Sequence, residues 1–337
     1  MNSLPNKRIS WVDAAKGYGT FLVILGHIGF GRAHQWIYSF HLPLFFFLSG
    51  FSFSLKNSFG EFLRRRIKTL FIPCICLSAT ILIANCIRML ADNTLTIDYI
   101  LRFLVDILVQ RRFTALWFIS CLFVLNLVFY AIIRFTNEWL GAGVSVLMAV
   151  AGLIYYANGG PSLPWNFDVC FTAPPFFYSG YLMKKHSRKV ENLLSRKFLS
   201  YVILFGSLML NIVFWLLSAR MSDVVFDMYG STYAFPPLSY PAAFAGILFM
   251  IVLSKKLDYR FVRYVGQNSL LYYAWHQQII WPLIIPVFNF FGVYSEKLSG
   301  GGPLLLYNFA IFFVTIGVAT LFNFIITHSK LKFIVGK

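Results

Sequence analysis

Hydrophobic residues run along this chain in blocks of about twenty, the length a helix needs to cross the hydrocarbon of a bilayer, with short polar joints between them. The first two blocks cover roughly residues 11–31 and 36–55 and read WVDAAKGYGTFLVILGH and, after a short break, FHLPLFFFLSGFSFS. Further blocks fall near 70–90, 114–135, 141–156, a segment ending at Tyr181, 198–218, 236–254, GQNSLLYYAWHQQIIWPL, and 304–327, which predicts about ten spanning helices. One segment breaks the pattern. IDYILRFLVDILVQRR, between the third and fourth blocks, is apolar at helical spacing but carries Arg102, Asp106, Arg111 and Arg112. It predicts an amphipathic helix on the outer surface, whose arginines either pair locally, Arg102 with Asp106, or meet a ligand bearing phosphate or carboxylate.

Charge orients these blocks. Lys56, Arg64, Arg65, Arg66 and Lys68 form the densest basic joint; Lys184, Lys185, His186, Arg188, Lys189, Arg196 and Lys197 form a second, and Lys7 and Arg8 precede the first block. Lysine and arginine accumulate in cytoplasmic loops, so both joints and both termini are expected in the cytoplasm. The expected fold is an all-α polytopic transmembrane bundle forming a single integral membrane domain over residues 1–337.

Composition agrees with that reading. At 58% hydrophobic and 12% charged, the chain leaves no room for a sizeable soluble domain. The net charge of +17 would suggest nucleic acid in a soluble protein, but here the basic residues sit in the joints, where topology accounts for them and no nucleic-acid partner is expected. Asp13 and Lys16 interrupt the first block, which argues against a cleavable signal peptide. Cys74, Cys76, Cys86, Cys121 and Cys170 show no paired spacing, so neither a metal nor a disulfide framework is expected.

The candidate chemistry lies in the first two blocks, which carry Asp13, Lys16, His27 and His41. Ionisable groups at membrane depth cost several kcal/mol each unless they pair, line a cavity or act in function. Lys16 and His27, eleven residues apart, project within about 20° of each other and are separated by ~16 Å along the axis. Asp13 lies three residues before Lys16, where opposite charges can pair, and Thr20 extends the stripe. Snorkelling with Asp13 as partner is sufficient for Lys16 alone. Two histidines on one side of the membrane weigh toward function, since imidazole moves protons near neutral pH. His276, beside Trp275 and Gln277, reads as a packing residue.

DAAKGYGTFLVILGH (Asp13 to His27), FHLPLFFFLSGF, FLRRRIKTLFIP, LWFISCLF and GQNSLLYYAWH occur in an order that resembles the acyltransferase 3 family of integral membrane O-acyltransferases, and within it the fucose 4-O-acetylase-like group. The resemblance implies about ten helices in a bacterial inner membrane. It also implies transfer of an acyl group, usually acetyl, from cytoplasmic acyl-CoA to a hydroxyl of a cell-envelope saccharide or lipid-linked saccharide. Lys16 and His27 match the family's basic residue and histidine eleven positions apart, while in its Arg-x-x-Arg signature Arg66 takes the first place and Thr69 the second.

Acyl transfer to a hydroxyl needs a base, a stabiliser for the developing oxyanion, and anchors for the donor's phosphates. His27 is expected as base or transient acyl carrier, with His41 as partner or alternative and Asp13 orienting Lys16. Lys16, Arg64, Arg65, Arg66 and Lys68 are expected to hold the phosphates of acetyl-CoA. No oxyanion donor can be assigned from sequence. The expected partners are the acyl-CoA donor, the saccharide acceptor, membrane lipids and a second copy of the chain in a homo-oligomer. The competing expectation is a multi-pass transporter or flippase with a helix broken near Pro43, which internal repeats would favour.

Overall fold

Backbone N–H and C=O groups in hydrocarbon must be satisfied within their own segment, so apolar runs of this length become helices. The computed structural model describes residues 8–55, 58–298 and 301–337; Lys7 and Lys56 of the basic clusters lie outside the described residues. Among the described residues six helices are long and apolar enough to cross a membrane: Phe59–Ala91, Trp117–Phe135, Glu138–Ala157, Lys197–Met221, Pro236–Lys256 and Gly301–Thr327. They occupy the expected third, fourth, fifth, seventh, eighth and tenth blocks.

The other four blocks are helical but shorter, more charged or interrupted. The first is the helix Ser10–Ile28, ended by Gly29 at φ +90°, a conformation that favours glycine. The second divides at Ser39 and Phe40 into Arg32–Tyr38 and His41–Phe51. This break precedes Pro43, which sits in the first turn of the second piece, where a missing N–H costs nothing. The sixth divides into Val169–Thr172 and Pro174–Lys185, and the ninth runs from Ser269 to Trp275, through a π-helical turn at His276–Ile280, into Trp281–Phe290. Nine of the eleven residues of His41–Phe51 are buried, so its apolar character serves packing against protein.

Glycines set how closely these inner helices approach. A Cβ on Gly17 would lie 2.1 Å from the Val262 carbonyl oxygen, and one on Gly266 would lie 1.8 Å from that of Asp13, which draws Arg260–Gln267 against the first helix. Gly50 and Gly180 do the same between His41–Phe51 and Pro174–Lys185, with 1.8 Å to the Phe177 oxygen and 2.0 Å to that of Phe47. Small residues at such crossings replace the hydrophobic effect, which is weak between helices in lipid, with backbone-to-backbone contact.

Two peripheral elements frame the rest. Ile97–Val109 is the expected amphipathic helix, with Phe103 and Ile107 buried while Ile97, Leu101 and Leu108 face outward. Arg102 pairs with Asp98 at 2.8 Å and not with Asp106; both stand four residues away, and an acid N-terminal to its base is the better-oriented of the two. A short antiparallel hairpin, β1 (Phe226–Asp227) with β2 (Thr232–Tyr233), lies between Lys197–Met221 and Pro236–Lys256.

Candidate active site

The first helix ends in one cavity and begins in others. At its His27 end a cavity of about 300 Å³ is lined by His27, Tyr38, His41, Thr114, Trp117, Asp227, Tyr229, Tyr273, Gln277 and Gln278. The turn at Gly29 reverses the chain and returns Tyr38 and His41 beside His27, with ring centroids 6.2 Å apart for His27 and Tyr38 and 4.8 Å for Tyr38 and His41.

Hydrogen bonding assigns the protons on the three imidazoles. Nδ1 of His27 lies 2.8 Å from the carbonyl oxygen of Val23, and Nδ1 of His41 lies 2.9 Å from that of Ile37. A carbonyl only accepts, so each Nδ1 carries the hydrogen and each Nε2 keeps its lone pair. His276 is fully buried and donates through Nδ1 to the Tyr273 carbonyl at 2.8 Å, which turns its unprotonated Nε2 toward Nδ1 of His27 at 3.4 Å. His27 thus has its ring held from behind and a basic nitrogen left for the cavity.

A polar framework ties the segment before Thr114 to the hairpin. The Arg112 guanidinium reaches Asp168 at 2.5 Å, Asn166 at 2.9 Å and the hydroxyl of Ser231 on the hairpin. Asn166 accepts from the Arg112 backbone N–H at 3.0 Å and donates to the Gln110 carbonyl at 2.6 Å. These bonds hold Gln110, Arg112 and Thr114 at φ of +52°, +46° and +48°, a strained geometry for side chains with a Cβ, and so aim Thr114 into the cavity. Arg112 is therefore committed to an internal ion pair. On the same hairpin Asp227 accepts from the backbone N–H groups of Tyr229 and Gly230, while burial pushes its carboxyl above the ordinary aspartate range.

At the Lys16 end two neighbouring cavities of about 510 and 320 Å³ share Arg8, Lys16, Gln267, Ser269 and Leu270. Arg65 and Lys184 border the larger, and Lys337, Ser49, Phe45, Phe118 and Tyr273 border the smaller. Tyr273 therefore belongs to the walls of both the histidine cavity and the smaller cationic one. Its ring meets Phe118 at 5.9 Å, and Phe118 meets Phe45 at 5.9 Å, so an aromatic layer stands between the two spaces.

The residues singled out from sequence separate into distinct places. His27 and His41 share one cavity, and Lys16, Asp13 and Arg65 share another, about three turns away along the first helix. Asp13 accepts from Gln267 at 2.9 Å, and no ion pair joins it to Lys16 among the described residues. Arg64 and Lys68 border a further groove with Lys337, while Arg66 packs over Phe62 and Phe53 at 5.0 and 5.8 Å, its Nε buried without a hydrogen-bond partner. Tyr38, Asp227, Tyr273, Gln277 and Gln278 were not singled out for chemistry from sequence. Of these only the run His276, Gln277, Gln278 inside an apolar block carried a signal, because three consecutive polar residues there need partners.

No group of three or more histidine, cysteine or carboxylate side chains that could hold a metal ion occurs among the described residues. No curated protein and no solved structure matches the chain significantly. The family model Acyl_transf_3, described as an acyltransferase domain, matches residues 9–324 and so takes in the first helix, the histidine cavity, the hairpin and the π-helical turn, while Arg8 and Lys337 of the cationic cavities lie outside the match. This chain belongs to the acyltransferase 3 family and is a membrane acyltransferase.

Proposed function

We propose that the protein moves an acyl group, acetyl in the first instance, from acyl-CoA on the cytoplasmic side of a bacterial inner membrane to a hydroxyl of a cell-envelope saccharide or lipid-linked sugar, as in the fucose 4-O-acetylase-like group. The observation that carries this reading is the pair of cavities meeting at Tyr273, one lined by imidazoles and the other by cations, at opposite ends of one helix.

Each cavity has the chemistry its half of the reaction needs. Lys16, Arg65, Arg8 and Lys184 suit the phosphates of coenzyme A, since cations form charge-assisted hydrogen bonds to phosphate oxygens. The distance from Lys16 to His27, ~16 Å along the helix, suits a pantetheine arm laid from the phosphate site toward the imidazoles. On the other side Trp117, Tyr38 and Tyr229 offer aromatic faces to a sugar ring, and Asp227, Gln277 and Gln278 offer polar groups to its hydroxyls. Nε2 of His27 takes the acceptor's hydroxyl proton as the oxygen attacks the thioester carbon, and returns it to the departing thiolate. A transporter, the competing expectation, is not favoured for a member of this family.

The test is transfer of radiolabel from acetyl-CoA to envelope glycans in membranes containing the protein. Label should reach the glycan with wild type and be lost, by at least two orders of magnitude, in His27→Ala at equal protein level. Undiminished transfer in that variant would remove His27 from the mechanism, and glycan movement without label would replace the enzyme with a transporter.

A further inference from the structure

Acyl transfer through a tetrahedral intermediate places a full charge on the former carbonyl oxygen, and the imidazoles cannot stabilise it while their free nitrogens act as bases. A donor must come from elsewhere in the same cavity. Tyr273 is 8% exposed, yet its hydroxyl has no hydrogen-bond partner among the described residues. Its neighbours on the helix differ. The Tyr272 hydroxyl is bonded to Thr320 at 2.8 Å, and the indole N–H of Trp275 donates to Thr80 at 3.0 Å.

A hydroxyl on a cavity wall that is not engaged by a protein group is free to donate to a partner that arrives with the substrate. Its location says which part of the substrate. Tyr273 lines both the histidine cavity and the cationic one, where a thioester fed from the Lys16 end would meet an acceptor hydroxyl beside His27. The π-helical turn that follows, His276–Ile280, widens the helix at this point and lets Tyr273, Gln277 and Gln278 all face the cavity while His276 backs His27.

We propose that the Tyr273 hydroxyl is the oxyanion donor of the transfer reaction, an inference that rests on the acyl-CoA reading above. As the acceptor oxygen bonds to the thioester carbon, the C=O π pair moves onto the carbonyl oxygen and receives the hydrogen bond of Tyr273. The acceptor's proton passes to Nε2 of His27. Collapse restores the carbonyl, breaks the C–S bond and sends that proton to the sulfur. Tyr273 keeps its own proton throughout and stabilises only the charged intermediate and the transition states flanking it.

The experiment uses the full chain in native membranes, radiolabelled acetyl-CoA as donor and the endogenous glycan as acceptor. Tyr273→Phe retains the ring against Phe118 and removes only the donor. It should lower kcat by about 10²–10³-fold with the KM for acetyl-CoA unchanged, the cost of deleting one oxyanion donor, at an unaltered melting temperature. Acetyl-CoA hydrolysis without acceptor passes through the same oxyanion and should fall with it. Full kcat in Tyr273→Phe, a change confined to KM, or faster hydrolysis with slower transfer would each overturn the assignment while leaving the acyltransferase reading in place. Absence of acyl-CoA-dependent label transfer by the wild type would overturn both.

Discussion

At the scale of single residues, the same side chain acquires different roles from its surroundings. His27, His41 and His276 all donate through Nδ1 to a backbone carbonyl, yet His27 and His41 border the cavity, whereas His276 aims its free nitrogen at His27. The cations divide in the same way. Lys16 borders both cavities at its end of the helix, while Arg66 lies over Phe53 and Phe62. Lys16→Met should therefore raise the KM for acetyl-CoA several-fold with little change in kcat, read from initial rates across donor concentration. The basic cluster was legible as a cluster from its sequence, but successive residues of a helix point 100° apart, so membership did not say which cations meet the donor.

At the scale of elements, the six long helices supply a frame, and the shorter and interrupted ones carry His27, His41 and Tyr273. His27, His41, Tyr273 and the glutamines stand on the first helix, on a helix that begins after a break, and beside a π-helical turn. Irregular backbone at membrane depth is tolerated where protein surrounds it, which is where these pieces lie. Their position depends on the glycine crossings. Gly180→Val would push a Cβ into the Phe47 carbonyl, a backbone atom that cannot yield by a rotamer change. The variant should lose about 1–3 kcal/mol of stability or more and elute as aggregated protein by detergent size-exclusion chromatography, whereas Gly143→Val, with nothing within 4 Å, should behave as wild type. The apolar blocks announced these helices by their length, but a break such as that at Ser39 and Phe40 leaves the hydropathy unchanged and is invisible to it.

For the whole molecule, the two cavities open at opposite ends of the Ser10–Ile28 helix with an aromatic layer between them. Such a layout suits a donor and an acceptor that never share a compartment. The proposed cytoplasmic donor site predicts that sealed inside-out vesicles transfer label from added acetyl-CoA and that sealed right-side-out vesicles do not until they are permeabilised. Transfer by right-side-out vesicles alone would place the donor site on the opposite face, and equal rates in both, at equal sealing, would show that it is not confined to one face.

The sequence by itself determined that the chain is a helical membrane protein, that Lys16 and His27 lie on one face of one helix, and that the first two blocks carry Asp13, Lys16, His27 and His41. Those properties follow from length, hydropathy and helical period, which act along the chain. Only the tertiary structure decided that His276 stands behind His27, that Arg112 is committed to Asp168, and that Tyr273 joins two cavities. Contacts between residues 249 or 56 positions apart arise from how helices pack against one another, and neither period nor hydropathy encodes that arrangement.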